Sequence, residues 1–500
     1  MQKASQGGEL VSCGIPGLDD ILYGGLPANR LYLVEGDPGA GKTTLALHFL
    51  LEGRAHGEPG VYVSLSETRD ELAAVANSHG WSLDGITVVE LTPPEEMLHP
   101  DTENTMFHTS EVELVDTTRS VLEQIERVKP RRVVFDSLSE MRLLAQNPLR
   151  YRRQILGLKQ FFVGRNATVL LLDDRTSDVN DLQLQSLAHG VLSLERRSPD
   201  YGVMQRRLQV LKLRGRSFRP GFHDFKIRKG GLDVYPRLVA SEHGHSFPSG
   251  LVSSGIAELD TLMGGGLDRG TSNLFVGPAG SGKSTLTMQY AAYAASAGHR
   301  AAIFMFDESP RTMLSRARGI GLKLDEAIEK RTLSIRQVDP GALSAGEFVD
   351  LVRREVEDQN AQMVVIDSLT GYLNAIPDVR FLILQLHELL LYLSQRGVTS
   401  LMVVAQQGVI GQAMHAQIDA SYLADAVIML RYFEAGGRVR QAMSVMKKRG
   451  GSHERTIREF SFGKSGIEIG GPLAEFEGVL SGVPRYVGGG SPLLVERARA

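Results

Sequence analysis

The chain has 500 residues, which exceeds what one hydrophobic core accommodates and fits two large domains. Its formal net charge of −3 gives no general attraction to nucleic acid or membranes, and its apolar fraction of 42 % is that of a globular protein. The single cysteine, Cys13, excludes an internal disulfide and a cysteine-built zinc site. Met1–Gln6 lacks a signal-peptide core, and the apolar stretch Phe381–Leu393 is too short to span a bilayer. We therefore expect a cytoplasmic protein without a membrane attachment.

The chain contains an internal repeat. The segment Ser12-Cys13-Gly14-Ile15 recurs as Ser253-Ser254-Gly255-Ile256, and Lys42 recurs as Lys283, 241 residues later. Each copy is too long for a solenoid unit, so the repeat predicts two duplicated domains. The predicted divisions are a first domain over 1–240, a second over 241–484 and a short C-terminal tail over 485–500.

Short apolar runs alternate with segments of helical periodicity in each copy. In the first, Leu31–Val34 precedes a Gly-rich turn and the helical segment Thr44–Leu50. This alternation predicts an α/β fold whose central, mostly parallel sheet is covered by helices on both faces. Late in the second copy, Ala426–Phe433 and Val439–Lys447 flank Gly436-Gly437 and predict a hairpin. Further predicted strands are Val61–Val63, Val133–Phe135, Val169–Leu172, Met363–Ile366 and Leu401–Val404.

Two segments match the phosphate-loop pattern G-x-x-x-x-G-K-[ST], namely Gly36–Thr43 and Gly277–Ser284. Their glycines allow backbone N–H groups to surround phosphates, and the following helix directs its positive end to the same place. Each lysine is expected to reach the β and γ phosphates of ATP. The predicted ATP-binding residues of the two loops are Gly36, Gly39, Gly41, Lys42, Thr43, Thr44, Gly277, Gly280, Gly282, Lys283, Ser284 and Thr285.

An aspartate follows a buried strand in each copy, as a Walker B motif requires. These residues are Asp136 and Asp367. With the loop hydroxyls of Thr43 and Ser284, they are the predicted ligands of Mg²⁺. Both copies are therefore expected to bind Mg-ATP.

Hydrolysis requires a group that orients or deprotonates the attacking water, and a carboxylate after a neighbouring strand can do so. The second copy offers Asp307 and Glu308, whereas the first offers Glu67 preceded by Ser66. Helix capping is the alternative role of these carboxylates. The difference predicts unequal turnover at the two sites.

A basic pair lies on a late strand of each copy: Lys212 with Arg214, and Lys447 with Arg449. Because residues i and i+2 of a strand share a face, each pair is expected to point in one direction. The pairs either contact ATP bound by a neighbouring subunit, as an arginine finger does, or form a solvated basic edge strand.

Together these motifs resemble the KaiC family, the double-domain ATPases of the bacterial circadian clock, from about Ser12 to Pro484. The resemblance implies two RecA-like domains, a hexamer of two stacked rings, and ATP at the subunit interfaces of both rings. It also implies that Lys212, Arg214, Lys447 and Arg449 act across those interfaces, and that a KaiB-like regulatory protein is a partner.

The resemblance further implies autophosphorylation of a neighbouring Ser-Thr pair shortly before an aspartate of the second domain. Counting back from Asp425 places this pair on Ser421 and Tyr422, so a tyrosine stands where the threonine would be. An ordinary polar loop is the alternative reading of Ser421. The family's catalytic carboxylates are paired in both domains, and Ser66 departs from that pattern.

Three functions remain open on these residues. The first is a clock-like or stress-response timer with ATPase and serine autokinase activity. The second is a nucleotide-gated hexameric scaffold without autokinase activity. The third, a RecA-type DNA-dependent ATPase, is disfavoured because the chain lacks a basic stretch interleaved with aromatic residues. Nucleic acid is therefore not an expected partner.

Overall fold

The computed structural model describes residues 8–91, 119, 121–145, 147–174, 182–198, 203–374, 379–406, 420–464, 466–481 and 483–488. Internal contacts divide the chain between Arg237 and Leu238 into a first unit and a second unit. This division lies a few residues before the end of the first domain as drawn from the sequence.

The described residues of the first unit form a nine-stranded sheet and a separate two-stranded sheet made by its first two strands. Its strands are β1 (Leu10–Val11), β2 (Leu26–Pro27), β3 (Leu31–Gly36), β4 (Gly60–Ser64), β5 (Ile86–Glu90), β6 (Arg132–Asp136), β7 (Thr168–Asp174), β8 (Gly190–Arg197), β9 (Gln205–Leu213), β10 (Phe222–Arg228) and β11 (Gly231–Tyr235). Its helices are α1 (Pro16–Ile21), α2 (Lys42–Ala55), α3 (Arg69–Ser78), α4 (121–128), α5 (Leu138–Ala145), α6 (Pro148–Phe162) and α7 (Leu182–Leu187).

The second unit repeats this arrangement after a 3₁₀ turn at Ala240–Glu242. Its strands are β12 (Leu251–Val252), β13 (Leu267–Asp268), β14 (Ser272–Pro278), β15 (Ala301–Met305), β16 (Leu333–Gln337), β17 (Met363–Asp367), β18 (Thr399–Gln406), β19 (Ala426–Ala435), β20 (Arg438–Lys448), β21 (Arg458–Gly463), β22 (Gly466–Pro472), β23 (Phe476–Glu477) and β24 (Arg485–Tyr486). Its helices are α8 (Ala257–Leu262), α9 (Lys283–Ser296), α10 (Pro310–Gly319), α11 (Leu324–Glu329), α12 (Ala345–Glu357), α13 (Leu369–Asn374) and α14 (Val379–Gln395).

The two nine-stranded sheets have the same topology. The strand order is β11-β10-β9-β8-β3-β7-β6-β4-β5 in the first unit and β22-β21-β20-β19-β14-β18-β17-β15-β16 in the second. The strands from β8 to β5, and from β19 to β16, pair in parallel, and the remaining three pair antiparallel. The predicted α/β fold with a mostly parallel sheet and a late hairpin is confirmed.

Each central strand is buried on both faces, as the apolar runs predict. In β3, Tyr32 and Val34 enter one hydrophobic core with Leu45 of α2, while Leu31 and Leu33 enter the core on the opposite face. Helices therefore cover both faces of the sheet, which leaves the carboxyl ends of the parallel strands as the accessible edge.

The predicted apolar helix near residue 381 lies within α14. Leu382, Leu386, Leu389 and Leu393 are buried in the core of the second unit. Nowhere in the described part of the chain does a helix have both the length and the apolar character to cross a membrane.

The end of the second unit is a short hairpin of β23 and β24. Tyr486 packs on Phe476 with ring centroids 5.2 Å apart, and its hydroxyl donates to a Glu475 carboxylate oxygen at 2.8 Å. The first two residues assigned to the tail, Arg485 and Tyr486, are therefore paired with the second unit.

Candidate functional site

The phosphate loops lie between the central strand and the following helix of each unit. β3 ends at Gly36 and α2 begins at Lys42, with Gly41 at φ 108° between them. Gly282 takes the same left-handed conformation, φ 99°, before α9. A Cβ added to Gly282 would lie 2.2 Å from the Phe462 ring, so both conformation and space require glycine.

The loop lysines fold back over their own loops. Lys42 donates to the carbonyls of Gly36 and Asp37 at 2.9 and 3.1 Å, and it pairs with Asp174 at 2.6 Å. Lys283 donates to the matching carbonyls at 2.8 and 2.6 Å. Burial lowers the pKa of Lys283 to about 8. Both ammonium groups are therefore held where ATP phosphates would meet them.

The predicted magnesium ligands lie together in both units. The Thr43 hydroxyl donates to Asp136 Oδ2 at 3.1 Å, and Ser284 hydrogen-bonds Asp367. Burial raises the pKa of each aspartate, because a charged carboxylate loses hydration there. Hydroxyl and carboxylate oxygens are the donors that Mg²⁺ prefers, so these residues fit the metal.

Glu67 follows β4 and is placed beside the loop of the first unit. Its backbone N–H donates to the Ser64 hydroxyl at 2.9 Å, which fixes the turn. One Glu67 carboxylate oxygen is buried without a hydrogen-bond partner among the described residues. Burial, and then the charge of Asp136, raises the pKa of Glu67.

The matching carboxylates of the second unit already have partners. Asp307 accepts a hydrogen bond from the Ser368 hydroxyl. Glu308 meets the Arg316 guanidinium through two contacts of 2.9 and 2.8 Å, one to each oxygen. The two units therefore present their candidate catalytic glutamates with different partners.

Helix capping does not explain the two glutamates. Thr68 caps α3 in a capping box with Glu71, and the Ser309 side chain caps α10. The capping alternative is therefore wrong for Glu67 and Glu308, which lie one residue before the caps.

The basic pair of the first unit is anchored on the end of α7. Lys212 Nζ donates to the Gln185 carbonyl at 2.6 Å, and Arg214 donates to the Ser186 carbonyl at 2.6 Å. Both side chains therefore lie on one side of the sheet, as predicted from their spacing.

The pair of the second unit is anchored in the same way on the turn before β19. Lys447 Nζ donates to the carbonyls of Ser421 and Ala424 at 3.0 and 2.7 Å. Arg449 pairs with Asp425 at 3.2 Å and donates to the Tyr422 carbonyl at 3.3 Å. The candidate phosphorylation residues are thus in direct contact with the basic pair.

An irregularity of strand pairing precedes each basic pair. The register shifts between Val191 and Leu192 in the first unit and between Val427 and Ile428 in the second. Such bulges redirect side chains and recur at functional sites. The outer neighbours of β9 and β20 pair with them only as far as Gln209 and Met443, so the edge-strand alternative stays open for both basic pairs.

Sequence reasoning missed three residues that contact the site. Asp174 pairs with Lys42, Tyr62 donates to Asp136, and Arg316 holds Glu308. Asp174 was predictable, because it ends β7 in register with Gly36 and the carboxyl ends of parallel strands meet at one edge. In the second unit Ala405 occupies the register position beside Gly277.

These groups together supply the parts of a nucleotide hydrolase. A lysine lies at the loop where phosphates would bind, a hydroxyl with an aspartate could supply oxygen ligands to Mg²⁺, and a glutamate after the adjoining strand could orient water. The same set occurs in both units at matching positions of the fold.

Comparison with known proteins agrees with this geometry. A family model described as "ATPase: KaiC" matches residues 11–239 and 252–474. The chain is 27 % identical over 494 residues to the circadian clock oscillator protein KaiC of Acaryochloris marina, covering 95 % of this chain and 91 % of that protein. The same values apply to the KaiC of Synechococcus elongatus. The circadian clock protein KaiC3 of Synechocystis sp. is 25 % identical over 97 % of this chain and 96 % of its own length. Since the family model covers most of both units, the chain belongs to the KaiC family of ATPases.

Proposed function

We propose that the protein hydrolyses Mg-ATP in both units, phosphorylates itself on Ser421, and acts as a clock-like or stress-response switch. The observation that carries the autokinase is the contact of Lys447 with the Ser421 carbonyl at 3.0 Å. The circadian names of the relatives support the switching role.

In each unit, different residues have different roles in hydrolysis. Lys42 and Lys283 neutralise charge on the β and γ phosphates, and Glu67 and Glu308 orient the attacking water. The Thr43–Asp136 and Ser284–Asp367 pairs would hold Mg²⁺, which supplies charge neutralisation at the phosphates when bound. Asp307 assists Glu308 in the second unit.

The basic pairs act between subunits in this proposal. Their side chains donate hydrogen bonds to backbone carbonyls of α7 in the first unit and of the turn before β19 in the second. A hexamer of two stacked rings would bring each pair to the ATP of the neighbouring subunit. Lys212, Arg214, Lys447 and Arg449 then stabilise charge on the transferring phosphate, as arginine fingers do.

Autophosphorylation follows from the same placement. Because Lys447 and Arg449 touch the backbone of Ser421 and Tyr422, a basic pair at the neighbour's ATP carries these residues there too. The Ser421 hydroxyl oxygen bonds to the γ phosphorus, its proton passes to a carboxylate, and ADP leaves. Tyr422, whose side chain is 55 % exposed, is the second acceptor to examine.

Intact mass spectrometry of the purified protein after incubation with Mg-ATP tests the autokinase. We expect one added phosphate, mapped to Ser421, that is absent in Ser421→Ala and retained in Tyr422→Phe. Unchanged mass alongside ADP release would contradict the autokinase and leave the ATPase standing.

A nucleotide-gated hexameric scaffold is the second candidate, favoured by the tyrosine at position 422. It predicts ADP release without phosphate transfer, together with a binding surface that changes with the nucleotide. For both the autokinase and the scaffold, we propose a KaiB-like regulatory protein as partner and the cytoplasm as location. Binding of such a protein to this chain in the presence of ATP, but not of ADP, would support this partner.

A further inference from the structure

Helices α3 and α10 occupy equivalent places but differ at one position beside the catalytic glutamate. The helices have the same length and begin two residues after Glu67 and Glu308, respectively. Arg316 of α10 corresponds to Val75 of α3 at the repeat offset of 241. Val75 packs against the apolar core of its unit, whereas Arg316 reaches the site.

Arg316 engages both oxygens of Glu308. One terminal nitrogen donates a hydrogen bond to Oε1 at 2.9 Å, and the other makes an ion-pair contact with Oε2 at 2.8 Å. The guanidinium is therefore directed at the carboxylate of Glu308.

In the described part of the first unit, one oxygen of Glu67 is under no such restraint. An oxygen of Glu67 is buried without a hydrogen-bond partner in the described ranges. A glutamate that is to orient water must direct a lone pair at it, and a guanidinium in contact with both oxygens holds the carboxylate in one orientation.

We propose that Arg316 is a positioning residue that restrains Glu308 and so sets a slower ATP turnover in the second unit than in the first. This inference rests on the proposed role of Glu308 in hydrolysis. It gives a direction to the unequal turnover expected from the sequence, because the first unit keeps the unrestrained glutamate although it lacks the paired aspartate.

The test measures second-unit turnover in a Glu67→Gln background, so that hydrolysis comes from Glu308. Arg316→Val, which copies the first unit, is expected to raise kcat about three- to tenfold with little change in KM for ATP. Arg316→Lys keeps the positive charge but loses the second terminal nitrogen. Its kcat should lie between that of the protein with Arg316 and that of Arg316→Val. Arg318→Ala, on the same helix as Arg316, removes an exposed ion pair with Asp325 of α11 and serves as the matched control.

The reciprocal experiment places an arginine at the equivalent position of the first unit. In a Glu308→Gln background, Val75→Arg should lower kcat, whereas Val75→Met, which adds bulk without charge, should not. Rising salt should speed the second unit with Arg316 present, because this pair is partly exposed, and should have no such effect in Arg316→Val.

The outcomes distinguish a failure of the proposed function from a failure of the proposed Arg316 restraint. Turnover that survives in the Glu67→Gln, Glu308→Gln double variant would overturn the proposed function itself. If the double variant is inactive but Arg316→Val leaves kcat unchanged or lowers it, only the restraint is overturned, and a fall would point to Arg316 contacting the phosphate.

Discussion

Glu67 and Glu308 occupy matching positions and meet different neighbours. The first has a buried oxygen without a described partner, and the second is held by Arg316. Asp174, which pairs with Lys42, adds a carboxylate to the first unit that the second replaces with Ala405. Duplicated sites with one set of core motifs can therefore differ in rate through residues outside those motifs.

The raised pKa of Glu67 predicts the pH dependence of the first unit. Only the deprotonated carboxylate can orient and deprotonate water, so turnover falls as the pH drops through the raised pKa. In the Glu308→Gln variant, we expect kcat to decline at a pH above the ordinary glutamate value of 4.5. Circular dichroism at each pH controls for unfolding, and a kcat that stays constant down to that value would contradict the assignment.

Single residues were predictable from the sequence where a motif fixes their backbone. Lys42, Thr43 and Asp136 follow from patterns that specify both residue type and strand position. Arg316 could not be predicted, since its contact depends on α10 starting two residues after Glu308 and on a long side chain turning back. No local sequence pattern predicts such a side-chain contact.

At the scale of elements, the phosphate loop is the most constrained segment. Gly282 has φ 99° and would carry a Cβ against Phe462 of β21. Gly282→Ala should therefore abolish ATP binding in the second unit, at a cost of about 1–2 kcal/mol for the left-handed backbone plus the clash. Gly298→Ala, with φ 84° but open space around it, should leave binding intact.

Binding of a fluorescent ATP analogue to each variant in a Lys42→Ala background measures this effect. Equal affinity of Gly282→Ala and Gly298→Ala would contradict the requirement for space beside Phe462.

The strands, the helices and the late hairpin were predictable because buried residues leave a hydrophobic periodicity or an apolar run in the sequence. The bulges before Lys212 and Lys447 were not, since a register shift depends on how two strands pair rather than on either sequence alone. The same limit applies to the anchoring of these lysines on segments about 26 residues away.

At the scale of the whole molecule, exposed leucines lie on the equivalent helices of the two units, at different positions of each helix. Leu149 and Leu156 of α6 are 75 % and 42 % exposed, and Leu384 and Leu391 of α14 are 58 % and 41 % exposed. Each pair is spaced by seven residues, which places both members on one helix face. Recurrence in both units supports a repeated contact between copies of the chain.

Charge on this face should weaken the proposed hexamer. We expect Leu156→Glu with Leu391→Glu to lower the molar mass in Mg-ATP, because an unpaired carboxylate would be buried at each contact. Light scattering after size exclusion measures the mass, and Ile328→Glu on α11, also partly exposed, is the control. An unchanged mass would place the subunit contacts elsewhere.

The most direct test of the account is ATP turnover in Glu67→Gln, Glu308→Gln and the double variant. We expect each single variant to keep part of the activity, with Glu67→Gln losing the larger share, and the double variant to fall at least about 100-fold. Wild-type turnover in the double variant would contradict the assignment of one catalytic glutamate to each unit.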